Sequence, residues 1–158
     1  MKYLEAKKVT GGCLCGAIRY DAEAFLEITY YCHCRSCQKG SGQPAAIGVL
    51  VKAGTLTYRE SEPKYYNLSD SGQWGFCSNC STGVVWRSQE PGEEWATNIT
   101  VGTLDHPEQA RPYIHMFVDE KIPWYEAQAD LPQTTSAEAE SIEKQWKTAI
   151  GWGTSTDD

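Results

Sequence analysis

Positive charge and long hydrophobic runs are both scarce in this chain. Its 158 residues contain 14 Lys and Arg against 21 Asp and Glu, which gives a formal net charge of −7. Nucleic acid binding needs a basic surface that neutralises phosphates, so this balance argues against DNA or RNA as a partner. No segment approaches the roughly 20 apolar residues that a transmembrane helix requires, so we expect no membrane partner either.

The first ten residues lack the apolar stretch that is typical of a secretory signal peptide. We therefore expect a cytoplasmic protein, in a reducing compartment where stable disulfides are uncommon. The length is that of one domain of ordinary size. We interpret residues 1–158 as a single domain with a core over about residues 10–132.

All seven cysteines lie in three tight groups, namely Cys13 and Cys15, then Cys32, Cys34 and Cys37, then Cys77 and Cys80. An odd number disfavours a disulfide framework, because one thiol would be left over. Spacings of two and three residues suit metal chelation, since a short loop can direct neighbouring sulfurs to one ion. Four thiolates saturate a tetrahedral zinc ion, whereas three leave one position open. The count therefore predicts two zinc ions, one structural and one catalytic.

Strand geometry suggests how each group presents its sulfurs. Successive residues of a strand face opposite sides, so Cys32 and Cys34 share a face while His33 points away. This disfavours His33 as a fourth ligand. A turn after Cys34 would bring Cys37 back beside the other two. The same alternation places Cys13 and Cys15 on one face and directs Leu14 away from them.

The partner of the Cys77 and Cys80 pair stays open on spacing alone. These two cysteines form a knuckle, a strand end followed by a turn. A C-x-C pair and a C-x-x-C pair together make a good four-cysteine site. The other two ligands of such a site could be Cys13 and Cys15, or Cys32 and Cys34.

Short strands separated by Gly, Pro, Ser, Asn and Asp turns dominate the rest of the chain, which indicates a mainly β fold. We predict strands over 18–20, 28–34, 45–51, 55–59, 65–68, 74–77, 84–86, 96–101 and 113–118.

One helix is predicted near the end of the chain, over residues 136–150. Thr135 and Glu138 have the spacing of a capping box, and Gly151 can end the helix in a left-handed conformation. An apolar stripe runs along it, formed by Ile142, Trp146, Ala149 and Ile150. Favourable ion pairs are expected between Glu140 and Lys144 and between Glu143 and Lys147. Residues 153–158 are predicted to form a flexible tail.

Three motifs resemble the glutathione-dependent formaldehyde-activating enzyme family, which shares its fold with centromere protein V. They are GCLCGAIRY at 12–20, CHCRSC at 32–37 and FCSNC at 76–80. Two shorter segments resemble the C-terminal signature of the family, GTLD at 102–105 and IHMF at 114–117 followed by Pro123 and Trp124. Ser81 is a departure, because the family usually has glycine there. The resemblance covers about residues 10–132.

The resemblance implies a β-tent, a fold of short antiparallel sheets around zinc sites, here with a C-terminal helix. It implies that Cys13, Cys15, Cys77 and Cys80 bind the structural zinc, and that Cys32, Cys34 and Cys37 bind the catalytic zinc. It also implies a carbon–sulfur lyase-like activity, the condensation of formaldehyde with glutathione to S-hydroxymethylglutathione.

The residues alone support related chemistry. Three thiolates leave a zinc site with a net charge of −1, which weakens its capacity to activate water. Such a site can still take up a thiol and remove its proton. The bound sulfur is then a nucleophile for a small electrophile such as an aldehyde, although nothing in this argument selects glutathione as the thiol.

Four further residues are weaker candidates for a substrate pocket. Arg35 and Lys39 flank the three-cysteine group and could bind a carboxylate, but they also fit solvated surface cations. His115 could transfer a proton or could be a buried strand histidine. Trp124 could form a pocket wall or pack in the core.

Two classes of function remain. The first is a zinc enzyme whose thiol substrate, possibly glutathione, enters the open three-cysteine site. The second is a non-catalytic zinc-binding or protein-interaction module. An open site beside a pocket would favour the enzyme, and a site closed by a fourth protein ligand would favour the module.

Overall fold

The computed structural model describes residues 2–154, in which ten strands form one sheet and two α-helices lie against it. The strands are β1 (Lys7–Gly12), β2 (Arg19–Cys32), β3 (Ala46–Val51), β4 (Thr57–Tyr58), β5 (Lys64–Asn67), β6 (Gly72–Phe76), β7 (Gly83–Ser88), β8 (Thr97–Thr100), β9 (Ile114–Met116) and β10 (Gln133–Thr134). The helices are α1 (Arg35–Ser41) and α2 (Ala139–Ile150). Four short 3-10 turns occupy Val101–Thr103, Pro107–Gln109, Val118–Glu120 and Ser136–Glu138. The predicted mainly β fold with a C-terminal helix is confirmed.

The strand order is β10-β9-β2-β3-β8-β7-β6-β5, with β1 and β4 also paired to β2. Most neighbours are antiparallel, as expected, but β9 runs parallel to both β2 and β10. Parallel neighbours require a long crossover. Here the chain passes through most of the sheet between Cys32 and Ile114 before it returns beside β2. The sheet is therefore mixed.

Strand β2 is longer than the sequence predicted. The two strands expected over 18–20 and 28–34 are parts of one 14-residue strand. Its register with β3 shifts between Phe25 and Thr29, a bulge that bends the strand without ending it. Strand β1 was not predicted, because Gly11 and Gly12 weaken its pattern. Gly11 is required there, since a Cβ atom would lie 2.3 Å from both the Thr103 carbonyl oxygen and the Tyr20 hydroxyl.

The predicted helix over residues 136–150 ends where expected, but its first turn is the 3-10 turn Ser136–Glu138, so α2 itself starts at Ala139. Thr135 and Glu138 form the capping box, and Gly151 closes the helix with φ of 73°. The Glu140–Lys144 ion pair is present at 3.0 Å. The predicted Glu143–Lys147 pair is wrong, because Lys147 instead contacts Glu93 at 2.9 Å. Of the predicted tail, only residues 153 and 154 lie within the described part of the chain.

The two faces of the sheet have different partners. One face carries the larger buried cluster, which includes Ile18, Tyr20, Val49, Val85 and Ile99. The opposite face carries a smaller cluster beneath α2, formed by Phe25, Ile28, Leu50, Trp95, Ile114, Met116, Ala139 and Trp146. This second face also holds the end of β2 with its cysteines. No helix within residues 2–154 has the length and apolar character needed to cross a bilayer.

Candidate active site

Four cysteines from two turns form the first cluster. Cys13 and Cys15 lie in the turn after β1, and Cys77 and Cys80 lie in the turn between β6 and β7. Their sulfur atoms are all within 4.8 Å of one another. The structure thus groups the Cys77 pair with Cys13 and Cys15, the alternative that spacing left open. Leu14 points outward, as predicted, and is 88% exposed, although residues 13–16 form a turn rather than a strand.

The distances in this cluster suit a tetrahedral metal ion. Cys13 Sγ lies 3.6 Å from Cys15 Sγ, and Cys15 Sγ lies 3.9 Å from Cys77 Sγ. Four sulfurs around a tetrahedral zinc, each about 2.3 Å from it, are about 3.8 Å apart. All seven cysteines are free. The cluster therefore has the spacing of a metal site and not of a disulfide pair.

Nearby donors stabilise the thiolate form of two of these cysteines, Cys15 and Cys80. The Asn79 amide donates to Cys15 Sγ at 3.2 Å and lowers the pKa of Cys15. The Thr82 hydroxyl lies 3.1 Å from Cys80 Sγ and lowers the pKa of Cys80 to about 5. The backbone N–H of Ile18 donates to Cys13 Sγ at 3.2 Å. Thiolates are the ligand form that a metal ion requires.

Ser81 takes the conformation that the family glycine would provide. Its φ is 66°, in the left-handed region that glycine occupies without steric cost. Its N–H donates to the Cys77 carbonyl at 2.9 Å and closes the knuckle. The departure from the family pattern therefore leaves the turn intact.

The second cluster lies where β2 ends and α1 begins. Cys32 is the last residue of β2, Cys34 is the N-cap of α1, and Cys37 lies in its first turn. Their sulfurs are within 4.8 Å of one another, and Cys32 Sγ is 3.4 Å from Cys34 Sγ. The predicted turn after Cys34 is thus the first turn of a helix. The Cys37 N–H donates to Cys34 Sγ at 3.3 Å, which fixes the cap.

The three thiols share one negative charge. Hydrogen bonds from Cys32 and Cys37 lower the pKa of Cys34 to about 3. Contact with Cys34 and Cys37 has the opposite effect on Cys32 and raises its pKa. Further ionisation would place like charges within a few ångströms. A divalent cation removes this obstacle, so the donor set fits a metal ion.

His33 points away from the cluster, as strand alternation predicted. It is fully buried, and its Nε2 lies 2.8 Å from Nδ1 of His115. His115 Nε2 in turn lies 3.1 Å from the carbonyl oxygen of Gln128, which can only accept. His115 must then donate from Nε2 and accept at Nδ1, so His33 donates from its Nε2. Burial and the neighbouring His115 lower the pKa of His33 to about 4, which keeps His33 neutral at physiological pH.

A cavity of about 370 Å³ opens onto the three-cysteine cluster. Its floor is the second face of the sheet, and α2 and the segment before β8 form the far wall. Alternating residues of the strands line the floor, namely Tyr30, Cys32, Ala46, Gly48, Leu50, Trp74, Trp86, Ser88, Asn98 and Thr100. Tyr30 also stacks on Trp146 of α2, with ring centroids 5.0 Å apart.

The four predicted pocket residues lie elsewhere. Arg35 is exposed and donates to the side-chain oxygen of Gln38, the buried residue of α1, and Lys39 is exposed on the same helix. Trp124 is 73% exposed and meets Tyr125 edge to face. His115 is buried behind β2, stacked on Tyr31 at 4.5 Å. None of the four is among the residues that line the cavity.

Apart from the three cysteines, sequence reasoning missed the residues that line the cavity. Tyr30 could have been identified, because it alternates with Cys32 and so faces the same side. Asn98 and Trp86 come from distant strands, and only the sheet order brings them to the cysteines. Glu93 could not be identified from the sequence, because its partner Lys147 is 54 residues away; it also accepts a hydrogen bond from the indole N–H of Trp95.

The fold and the motifs can now be compared with known proteins. A crystal structure of a Rhodobacter sphaeroides protein matches with a TM-score of 0.51 and 19% identity, over 61% of this chain and 87% of that one. At this identity the match shows a shared fold. No curated protein matches the chain. The model of one family, described as glutathione-dependent formaldehyde-activating enzyme, matches residues 8–120. Since this match spans both cysteine clusters and most of the chain, the protein belongs to the glutathione-dependent formaldehyde-activating enzyme family.

Proposed function

We propose that this protein is a zinc-dependent carbon–sulfur lyase-like enzyme that joins a small thiol to a small aldehyde, or releases the two from their adduct. In this proposal Cys13, Cys15, Cys77 and Cys80 hold a structural zinc, and Cys32, Cys34 and Cys37 hold a catalytic zinc. The observation that carries it is the cavity. A three-cysteine cluster with no fourth protein ligand in residues 2–154 faces a space large enough for a substrate.

The same observation argues against a purely structural module. Such a module would be expected to close its second site with a fourth side chain. His33 is the nearest candidate in sequence, but it is bound to His115 on the other side of β2. The open side of the cluster instead meets the aromatic floor of the cavity.

Zinc in a three-thiolate site can accept a thiol and lower its pKa, which makes the sulfur nucleophilic at neutral pH. The reaction is balanced without an oxidant or a reductant. The sulfur lone pair attacks the aldehyde carbon, the carbonyl π bond opens, and the proton lost by the thiol ends on the resulting hydroxyl oxygen. The reverse sequence releases thiol and aldehyde.

The protein side chains position the reactants and exclude water. Trp74, Trp86 and Trp146 offer flat apolar surfaces to the body of a thiol substrate. The cap of α1 holds Cys34 and Cys37 in one geometry. Glutathione is the thiol that the family description names, and it is one candidate for this role. Seven free thiols also support a location in a reducing compartment such as the cytoplasm.

Metal analysis and cobalt substitution test the proposal. The purified chain should contain two zinc ions, and cobalt at the three-cysteine site should show a change in its sulfur-to-metal charge-transfer band when thiol is added. The Cys34→Ala variant should lose this response and keep the four-cysteine site filled. Ser36→Ala, which changes a neighbouring lining residue without removing a sulfur, serves as the control.

The response should strengthen as pH rises towards about 8.5, the pKa of a free thiol, because less proton release is then needed. Activity should appear as a rate of adduct formation or breakdown above that in buffer. If no thiol perturbs the cobalt spectrum and no adduct rate exceeds the buffer rate, the enzyme assignment is wrong and the zinc-binding module is the better account.

A further inference from the structure

The charge of the cavity is all of one sign. Among residues 2–154 its lining includes three carboxylates, Glu90, Glu93 and Glu143, and no Lys or Arg. Arg35 and Lys39, the nearest cations to the cysteines in sequence, lie on α1 outside the lining. A substrate that carries carboxylates would therefore meet like charge and no compensating cation.

Glu143 is the carboxylate left without a partner. Lys147, one turn further along α2, contacts Glu93 at 2.9 Å instead. Within residues 2–154 Glu143 forms no salt bridge, and it is half-buried at the cavity wall. Burial raises the pKa of Glu143, and the charge of nearby Lys147 offsets this effect only in part. A cation placed in the cavity would add to that compensation.

Asn98 adds an unsatisfied acceptor on the cavity floor. Its residue is only 8% exposed, and its side-chain oxygen has no hydrogen-bond donor among residues 2–154. It lies on the same face of the sheet as Gly48 and Tyr30, since a Cβ atom on Gly48 would lie 3.5 Å from Asn98 Cβ and 3.4 Å from the Tyr30 ring. A buried oxygen without a donor is costly. Because this oxygen is itself inaccessible, it can accept from a ligand N–H group only after the Asn98 amide rotates towards the cavity.

Aromatic rings complete the environment. Six aromatic side chains line the cavity, among them Tyr30 and Trp146 in contact with each other. Their faces attract cations, most strongly where water is excluded. The carboxylate, the acceptor oxygen and the aromatic faces all favour a cationic group that carries N–H donors.

Resting on the proposed function, we infer that the thiol substrate carries a protonated amino group and no compensating carboxylate, so that an ammonium thiol is preferred over glutathione. The sulfur would occupy the cysteine cluster, and the ammonium group would lie between Glu143, Asn98 and the aromatic rings. Glutathione carries one ammonium group but two carboxylates, and it meets no cation in the lining.

The test compares cysteamine with mercaptoethanol, which has nearly the same shape and a hydroxyl in place of the ammonium group. Binding to the zinc-loaded full chain is measured by calorimetric titration. A single buried charge contact is worth roughly tenfold in affinity, so cysteamine should bind about tenfold more tightly. Mercaptoacetate and glutathione should bind more weakly than either.

An ammonium group also acidifies the thiol, and the Glu143→Gln variant separates this effect from recognition. The acidity of each thiol is the same whichever protein is titrated. Only a contact with Glu143 can therefore change the ratio of the affinities for cysteamine and mercaptoethanol. We expect the preference for cysteamine to fall about tenfold in Glu143→Gln. It should stay unchanged in Glu140→Gln, a matched control on the exposed side of α2. Equal melting of both variants shows that the fold is intact.

Ethanolamine and ethylene glycol, the sulfur-free counterparts, distinguish failure of this inference from failure of the proposed function. If thiols do not enter the cysteine cluster, cysteamine and ethanolamine bind equally, and both still weaken in Glu143→Gln. If thiols do enter but the ammonium group adds nothing to binding, cysteamine and mercaptoethanol both bind more tightly than ethanolamine and ethylene glycol. Their affinities are then the same in the wild type and in Glu143→Gln, and the inference is overturned. Glutathione or mercaptoacetate binding as tightly as cysteamine would overturn it as well, as would the absence of cysteamine binding.

Discussion

Removal of the four-cysteine cluster should destabilise the protein about twice as much as removal of the three-cysteine cluster. The first cluster joins Cys15 to Cys77, which are 62 residues apart in the chain. A cross-link that closes a loop of this length lowers the entropy of the unfolded chain by an amount worth about 4 kcal/mol. The second cluster closes only the short segment from Cys32 to Cys37, for which the same relation gives about 2 kcal/mol.

These values translate into melting temperatures. For a chain of this size, 1 kcal/mol corresponds to about 2–4 °C. We therefore expect the Cys77→Ser/Cys80→Ser double variant to melt about 8–16 °C below the wild type, and the Cys34→Ser/Cys37→Ser variant about 4–8 °C below it. Thermal unfolding followed by circular dichroism measures both shifts, and metal analysis should show one zinc lost in each case.

A chelator provides the control for this comparison. It should remove both ions, and so lower the melting temperature of the wild-type protein by about 12–24 °C and that of the first double variant by a further 4–8 °C or so. Equal losses of stability in the two double variants would contradict the reasoning, because the cross-linked span would then not matter. Wild-type melting with zinc retained after loss of Cys77 and Cys80 would refute the assignment of the site itself.

Three further predictions concern single positions. Gly48→Val should block thiol binding without changing the zinc content or the melting temperature, because the new side chain would extend from the cavity floor into the space beside the Tyr30 ring. Gly102→Ala is the control and should bind thiol normally, because a Cβ atom at Gly102 meets nothing within 4 Å. Asp105→Asn should cost about 1 kcal/mol at neutral pH and flatten the acid limb of a stability profile. The reason is that Arg19 holds the pKa of Asp105 at about 2, below its value in the unfolded chain. The stabilisation of the fold by this ion pair is therefore present above about pH 4 and is lost as the pH falls through about 2. Thr135→Ala should cost about 1 kcal/mol through loss of the capping box, measured by denaturant unfolding.

Local chemistry made much of this molecule predictable. The short strands and the capped helix follow from periodicity and turn residues, which act within a few positions of the chain. The side chains of Leu14 and His33 point away from the sulfurs of their neighbours, as alternation alone predicts, even though Leu14 lies in a turn. The grouping of the seven sulfurs into four and three was expected from their number and from the family resemblance.

Features that depend on distant partners could not be predicted in this way. Lys147 has Glu143 one turn away on its helix, yet it pairs with Glu93, because the segment before β8 folds beneath α2. Helix α1 was missed because its seven residues carry no apolar stripe, and its start is set by a cysteine cap. The cavity residues Trp74, Trp86 and Asn98 are brought together only by the order of strands in the sheet.

The alternation of the central strands also separates two kinds of mutational freedom. On β3, Gly48 and Leu50 face the cavity, whereas Val49 and Val51 face the main core. Leu50 also belongs to the smaller buried cluster beneath α2, whereas the side chains nearest to a Cβ atom on Gly48 would be those of Tyr30 and Asn98 on the cavity floor. The cavity-facing positions of β3 therefore fall into two classes. A substitution at Leu50 changes the packing of the fold together with the shape of the cavity, whereas a substitution at Gly48 mainly changes the shape of the cavity.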